Sequence, residues 1–139
     1  DGLPAEDLRT SRLPSGWTPL ELIKHLVFME TRWFQWGFAA EQIYAPWGDQ
    51  DADGRWRVGP QETVADLVAA LHAGGLRTRA IVAESALSDV AAIGGRFGQD
   101  DPDPHPTLAW IMLHVLQEYA RHAGHLGIAR ELVDGATGE

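Results

Sequence analysis

LAWIMLHVLQEYARHAGH, residues 108–125, is the stretch on which both the fold and the chemistry of this 139-residue chain turn. Thr107 precedes it as an N-cap residue and Gly135 follows as a stop, so the pattern predicts a helix over about 107–133. At 100° per residue, His114, Glu118, His122 and His125 fall within about 80° of one another. They form a polar stripe on a helix that is otherwise strongly apolar up to Leu116. A solvated helix face ordinarily uses Lys, Glu and Arg; this one uses three imidazoles and a carboxylate. Glu118 and His122 are spaced i, i+4, so both side chains can converge on one point above the helix, as metal-binding pairs do. The same spacing suits a surface ion pair of roughly 0.2–0.5 kcal/mol, and spacing alone leaves both readings open.

Working outward, Gly and Pro divide the rest of the chain into two more long periodic segments. Thr18-Pro19-Leu20-Glu21 is a capping box with Pro at the first helical position. Apolar residues then recur at helical spacing from Leu22 to Phe38, which predicts a helix near 18–43, stopping before Pro46. Thr63-Val64-Ala65-Asp66 opens another, near 62–86, with Gly74-Gly75 inside it as a kink or a close crossing. Residues 1–16 read as an extended lead-in with one helical turn around Ala5–Arg9. Ser88 is read as the cap of a short helix over Asp89–Ile93. In the loop 45–60, Asp49, Asp51 and Asp53 have calcium-loop spacing, but no Glu stands at position 12, so they read as a solvated acidic turn. No segment alternates with period two. The expectation is a single all-α domain over 1–139, an antiparallel bundle.

Bulk properties narrow the function. A net charge of −9 repels phosphate backbones, and the 11 basic residues, Lys24 being the only lysine, are scattered; nucleic-acid binding is not expected. No apolar run approaches the roughly 18 residues that cross a bilayer, and no signal peptide is visible, so a cytoplasmic protein is expected. Cysteine is absent. Any metal must be held by His and carboxylate, and any thiol chemistry must come from a bound small molecule. A third metal ligand would come from a neighbouring helix. His25, about two turns into the first long helix, is the natural candidate, against the plainer reading of a packed core histidine. His105 lies between two prolines and His72 adjoins the glycine pair. His114 and His125 read as partners of the ligands or as walls of the site. Arg32 and Arg121 read as receivers of a substrate carboxylate or as surface salt bridges. Trp33 and Trp110 read as core, and Trp36, Trp47 and Trp56 as loop packing in preference to the lining of a ligand mouth.

Two motifs carry a resemblance. Ser15-Gly16-Trp17-Thr18-Pro19 running into Lys24-His25-Leu26, together with Glu118-Tyr119-Ala120-Arg121-His122-Ala123-Gly124-His125, resembles the DinB-like superfamily. More closely, the pair is similar to its actinobacterial domain-of-unknown-function branch, related to mycothiol-dependent maleylpyruvate isomerases. The resemblance runs from about Leu8 to Gly135. It implies a four-helix bundle with a metal between helices, held by a His on the second helix and an i, i+4 pair on the last: here His25, Glu118 and His122. Many members carry His at the position of Glu118. The implied function is a metal-dependent enzyme, a thiol-dependent transferase or isomerase, with zinc, nickel or iron(II) as metal, mycothiol as thiol and an unknown small substrate. The alternative is a non-catalytic, stress-related metal- or ligand-binding bundle whose site is closed by His125 or His114. The family's first helix has no counterpart before residues 3–16, which leaves a truncated fragment, completion of the bundle by another chain or a differently folded lead-in. Three helices leave an apolar groove, so a homodimer or another partner covering it is expected.

Overall fold

The computed structural model describes residues 2–137. Four α-helices carry the chain: α1 (Ala5–Leu8), α2 (Pro19–Glu30), α3 (Val64–Ala83) and α4 (Leu108–Asp134). Among the described residues there is no strand, only isolated β-bridges, and no helix long and apolar enough to cross a membrane. The molecule is an all-α helical bundle. Its N-terminal signals work as read. Thr18 Oγ1 accepts from the Glu21 N–H at 3.2 Å while a Glu21 carboxylate oxygen accepts from the Thr18 N–H at 2.9 Å. Thr63 and Asp66 repeat the box at α3. Gly135 closes α4 in the left-handed region, φ 74°.

The α2 helix departs from expectation at its C-terminal end. It runs without a break into a π-helical segment, Thr31–Phe38, and ends there rather than near residue 43. The wider turn brings the Ala39 N–H to the Phe34 carbonyl at 2.9 Å. A Cβ on Gly37 would lie 2.8 Å from the Arg32 carbonyl oxygen, so this turn requires glycine. Ala40 then takes φ 51° and turns the chain away. The loop before α4 supplies donors to the carbonyls left at this end: Arg96 N–H to Trp36 and Ala92 N–H to Phe38. The first is possible because Gly95, where a Cβ would sit 1.9 Å from the Trp36 oxygen, has none.

The α2 unit lies between α3 and α4. His25 meets His122, Tyr119 donates to Glu30, and Trp33 meets His114 and Trp110, so α4 runs antiparallel to α2. Lys24 pairs with Glu62, Gly75 faces Glu30, and Arg77 pairs with Glu41, so α3 advances in the same direction as α2. The long connection over 39–63 returns the chain to make this possible. The core is Leu26, Met29, Phe34, Phe38, Ile81, Leu108, Ile111 and Val115, with Trp33 packed against it.

Several local expectations are corrected. Trp110 is 50% exposed, because Leu108 and Ile111 hold the inner face of α4 and its indole stacks on His114 instead. No helix forms over 89–93. Asp89 accepts from Ala86, and the backbone pairs with 106–108, as in Ala91 N–H to Pro106 and Leu108 N–H to Asp89. The glycine pair does not interrupt α3; a Cβ on Gly74 would meet nothing within 4 Å, while one on Gly75 would lie 4.0 Å from a Glu30 carboxylate oxygen on α2. Substitution should separate the two kinds of glycine. In urea unfolding, Gly37→Ala should lose about 1–3 kcal/mol through overpacking, while Gly74→Ala should be neutral or gain up to about 1 kcal/mol from helix propensity.

Candidate metal centre

His25 from the middle of α2 and the Glu118–His122 pair from α4 converge in the crevice between the two helices. Their ligand atoms all lie within 4.8 Å of one another. His122 Nε2 is 3.3 Å and His25 Nε2 is 3.9 Å from the same carboxylate oxygen of Glu118. Both imidazoles are buried. His25 Nε2 is buried with no hydrogen-bond partner. A buried nitrogen with an unused lone pair is costly, and one facing a second imidazole nitrogen and a carboxylate has the donor set of a divalent metal site. The residues therefore fit the ion that the sequence pattern implies.

The orientation of His25 comes from a residue that spacing misassigned. Asp49 is not part of a solvated turn: it is 0% exposed. Its carboxylate accepts from Arg32 through both oxygens, at 2.7 and 3.1 Å, and approaches His25 Nδ1 at 3.2 Å. An ionised carboxylate can only accept, so Nδ1 carries the proton and Nε2 presents its lone pair to Glu118 and His122. Burial raises the Asp49 pKa. The hydrogen bonds from His25 and Arg32 and the Arg32 charge outweigh that and hold it below the usual carboxylate value. Arg32 is thus committed to Asp49 and to the Pro46 carbonyl, not held open for a substrate carboxylate. A calcium-like Asp triplet hid this role. The available signal was a lone buried-type arginine on an apolar helix face, which needs a carboxylate somewhere in the chain.

The remaining expected residues divide. His125 Nδ1 lies 3.4 Å from His122 Nδ1, so it touches the outer nitrogen of a candidate ligand. Arg121, exposed, donates to Glu118 at 3.1 Å. His114 does not join the cluster; its ring packs on Trp33 and Trp110. Burial and the neighbouring His25 push the His122 pKa below the ordinary histidine value, against the pull of Glu118. That favours the neutral imidazole a metal requires. Two tryptophans complete the site. Trp56 stacks on His25 with ring centroids 3.9 Å apart, and Trp17 stacks on Trp56 at 4.3 Å. Trp17 also meets His122 and His125 edge-on, at 5.9 and 5.4 Å. Trp56 is therefore a wall of the site, whereas Trp36, on the π-helical segment, meets Trp47 of the loop edge-on, with Arg32 over the Trp47 ring.

A family model described as mycothiol-S-transferase matches residues 1–135. The chain belongs to the mycothiol-S-transferase family. No curated protein and no solved structure matches it. Membership agrees with the resemblance carried by the Trp17–His25 and Glu118–His125 motifs.

Two outcomes follow from Asp49. Asp49→Asn should weaken metal binding about 10–100-fold, measured by competition with a chelating dye. It should also lower unfolding free energy by about 3 kcal/mol or more, because the Arg32 charge stays buried without its partner. Since the folded pKa of Asp49 lies below the unfolded one, the unfolded chain binds more protons in acid. The Asp49 contribution is complete above about pH 4 and is lost as the pH falls below it. Urea midpoints between pH 5 and 3 should fall less steeply in Asp49→Asn than in the parent.

Proposed function

We propose that this protein is a metal-dependent thiol S-transferase in which His25, Glu118 and His122 hold one divalent ion, zinc first, with nickel and iron(II) as chemically admissible replacements. The observation that carries this reading is the buried, unpartnered His25 Nε2, aimed at Glu118 and His122 in a family named for mycothiol transfer. Two His and one Glu leave a coordination position free, as catalytic rather than structural zinc sites do. Such an ion supplies a Lewis acid that lowers the pKa of a thiol into the neutral range.

The chain's own residues do the rest. Asp49 and Arg32 hold His25 in one tautomer and one orientation. Arg121 donates to one Glu118 oxygen, and the other oxygen faces the imidazoles. Trp56 and Trp17 cover the histidine faces and exclude water, which strengthens every charge interaction beneath them. His125 hydrogen-bonds to His122 from outside the group, which favours an open position over a site closed by a fourth protein ligand. A cytoplasmic setting, where small thiols stay reduced, fits this use.

Protein prepared with excess zinc or nickel should carry about one ion per chain, and should conjugate mycothiol to a fluorogenic bimane electrophile. His122→Ala should lose the ion and at least about 100-fold in rate, the scale of a missing electrostatic contribution. Metal-free protein after such loading, or undiminished conjugation after chelation, would refute the proposal. The apolar outer side of α4, with Leu113 and Leu116 each 63% exposed, is proposed as the face that a second copy covers. Light scattering should then give twice the chain mass; a stable monomer would exclude it.

A further inference from the structure

Outside the histidine cluster, the stacked indoles form one wall of a cavity of about 570 Å³ that also meets Ser15, Glu21 and Arg55. That volume falls within the roughly 300–1,000 Å³ of small-molecule sites. Its lining combines flat aromatic surface with hydrogen-bonding groups of both signs. Glu21 spends one carboxylate oxygen on the Thr18 N–H, and the other has no hydrogen-bond partner among the described residues. Arg55 is held through its backbone, where its N–H donates to Asp51 and its carbonyl accepts from the Asp51 N–H. Its guanidinium has no partner among the described residues. The cavity thus pairs one free acceptor with one free multiple donor, across aromatic rings that also touch three imidazoles of the candidate centre.

We infer that this cavity binds a polyhydroxylated ring: the non-thiol scaffold of the thiol cosubstrate. The inference rests on the reading above that the protein uses such a thiol. A carboxylate in the lining disfavours an anion and a guanidinium disfavours a cation, so the neutral class is selected. A ring with hydroxyls on its rim and C–H groups on its face matches both kinds of surface. Indole faces take the C–H groups, and Glu21, Arg55 and Ser15 take the hydroxyls. Mycothiol carries its thiol on such a scaffold. With the scaffold against Trp17, the thiol arm passes the indole edge toward His122 and His125. The residues of this cavity are thereby assigned to selection of the thiol, separate from the groups that hold the metal.

The test uses S-methylmycothiol, which keeps the scaffold and blocks the sulfur, with N-acetylcysteine and glucose as the two partial probes. Calorimetry and tryptophan fluorescence are read on the protein as purified and again after chelation. S-methylmycothiol should bind equally in both preparations, and more tightly than either partial probe. Arg55→Ala removes an exposed guanidinium that makes no hydrogen bond or ion pair among the described residues and should weaken it roughly tenfold, the loss of about one charge-assisted hydrogen bond. Trp17→Leu should weaken it at least as much, and Arg55→Ala should leave N-acetylcysteine binding unaltered. Affinity within twofold of the parent in both variants, or no binding to the parent, overturns the inference. Glucose binding as tightly as S-methylmycothiol also overturns it, by making the cavity a free-sugar site. Binding that persists while conjugation fails faults the metal reading and leaves this one standing. Retained metal and turnover with no S-methylmycothiol binding does the reverse.

Discussion

A buried carboxylate, Asp49, clasped by Arg32 holds the rest of this structure in place. Two opposite charges taken out of water must satisfy each other closely or the fold loses several kcal/mol. Here they do so through both carboxylate oxygens, with the third bond going to His25 Nδ1. Because Asp49 belongs to the long connection over 39–63 and Arg32 to the π-helical end of α2, the pair anchors a loop that has no regular structure of its own. That loop carries Trp56, which comes to rest on His25. The π turn, with glycine at residue 37 where a Cβ would strike the Arg32 carbonyl, belongs to the same arrangement. An irregular helix end, a buried ion pair and a stacked indole thus all serve the orientation of one imidazole.

The site shows how a small domain makes a polar cluster tolerable between apolar helices. Neutral histidines cost less to bury than charged ones, and burial itself keeps His122 in that form. Glu118 is balanced by Arg121 at the rim, and Asp49 by Arg32 inside. Stacked rings cover the histidines with polarisable surface in place of water. The result is a group of candidate ligand atoms within 4.8 Å of one another, with His25 Nε2 left buried and without a hydrogen-bond partner.

Much of this was legible in the residues. Each capping box read from sequence is formed, since a cap depends on four consecutive residues and little else. The convergence of Glu118 and His122 follows from helical pitch. His25 needed the resemblance, because nothing in one sequence says which neighbouring helix presents a third ligand. Asp49 was misread because its spacing to Asp51 and Asp53 imitated a calcium loop, while its true partners lie 17 and 24 residues away. The reading of Trp110 as core failed for a related reason. Apolar residues encircle the first half of α4, so periodicity alone could not say which side the bundle would bury.

By itself, then, the sequence determined the helices and their starts, the absence of any thiol in the chain, and a His–Glu pair able to meet above one helix face. These rest on local stereochemistry and composition, which no packing arrangement can alter. Only the tertiary structure decided which carboxylate orients His25 and which indoles cover it. Those choices depend on contacts made across long loops, where sequence separation carries no information about distance. The stretch 108–125 supplies two of the three candidate ligands; the third became one through the loop that folds Asp49 against it.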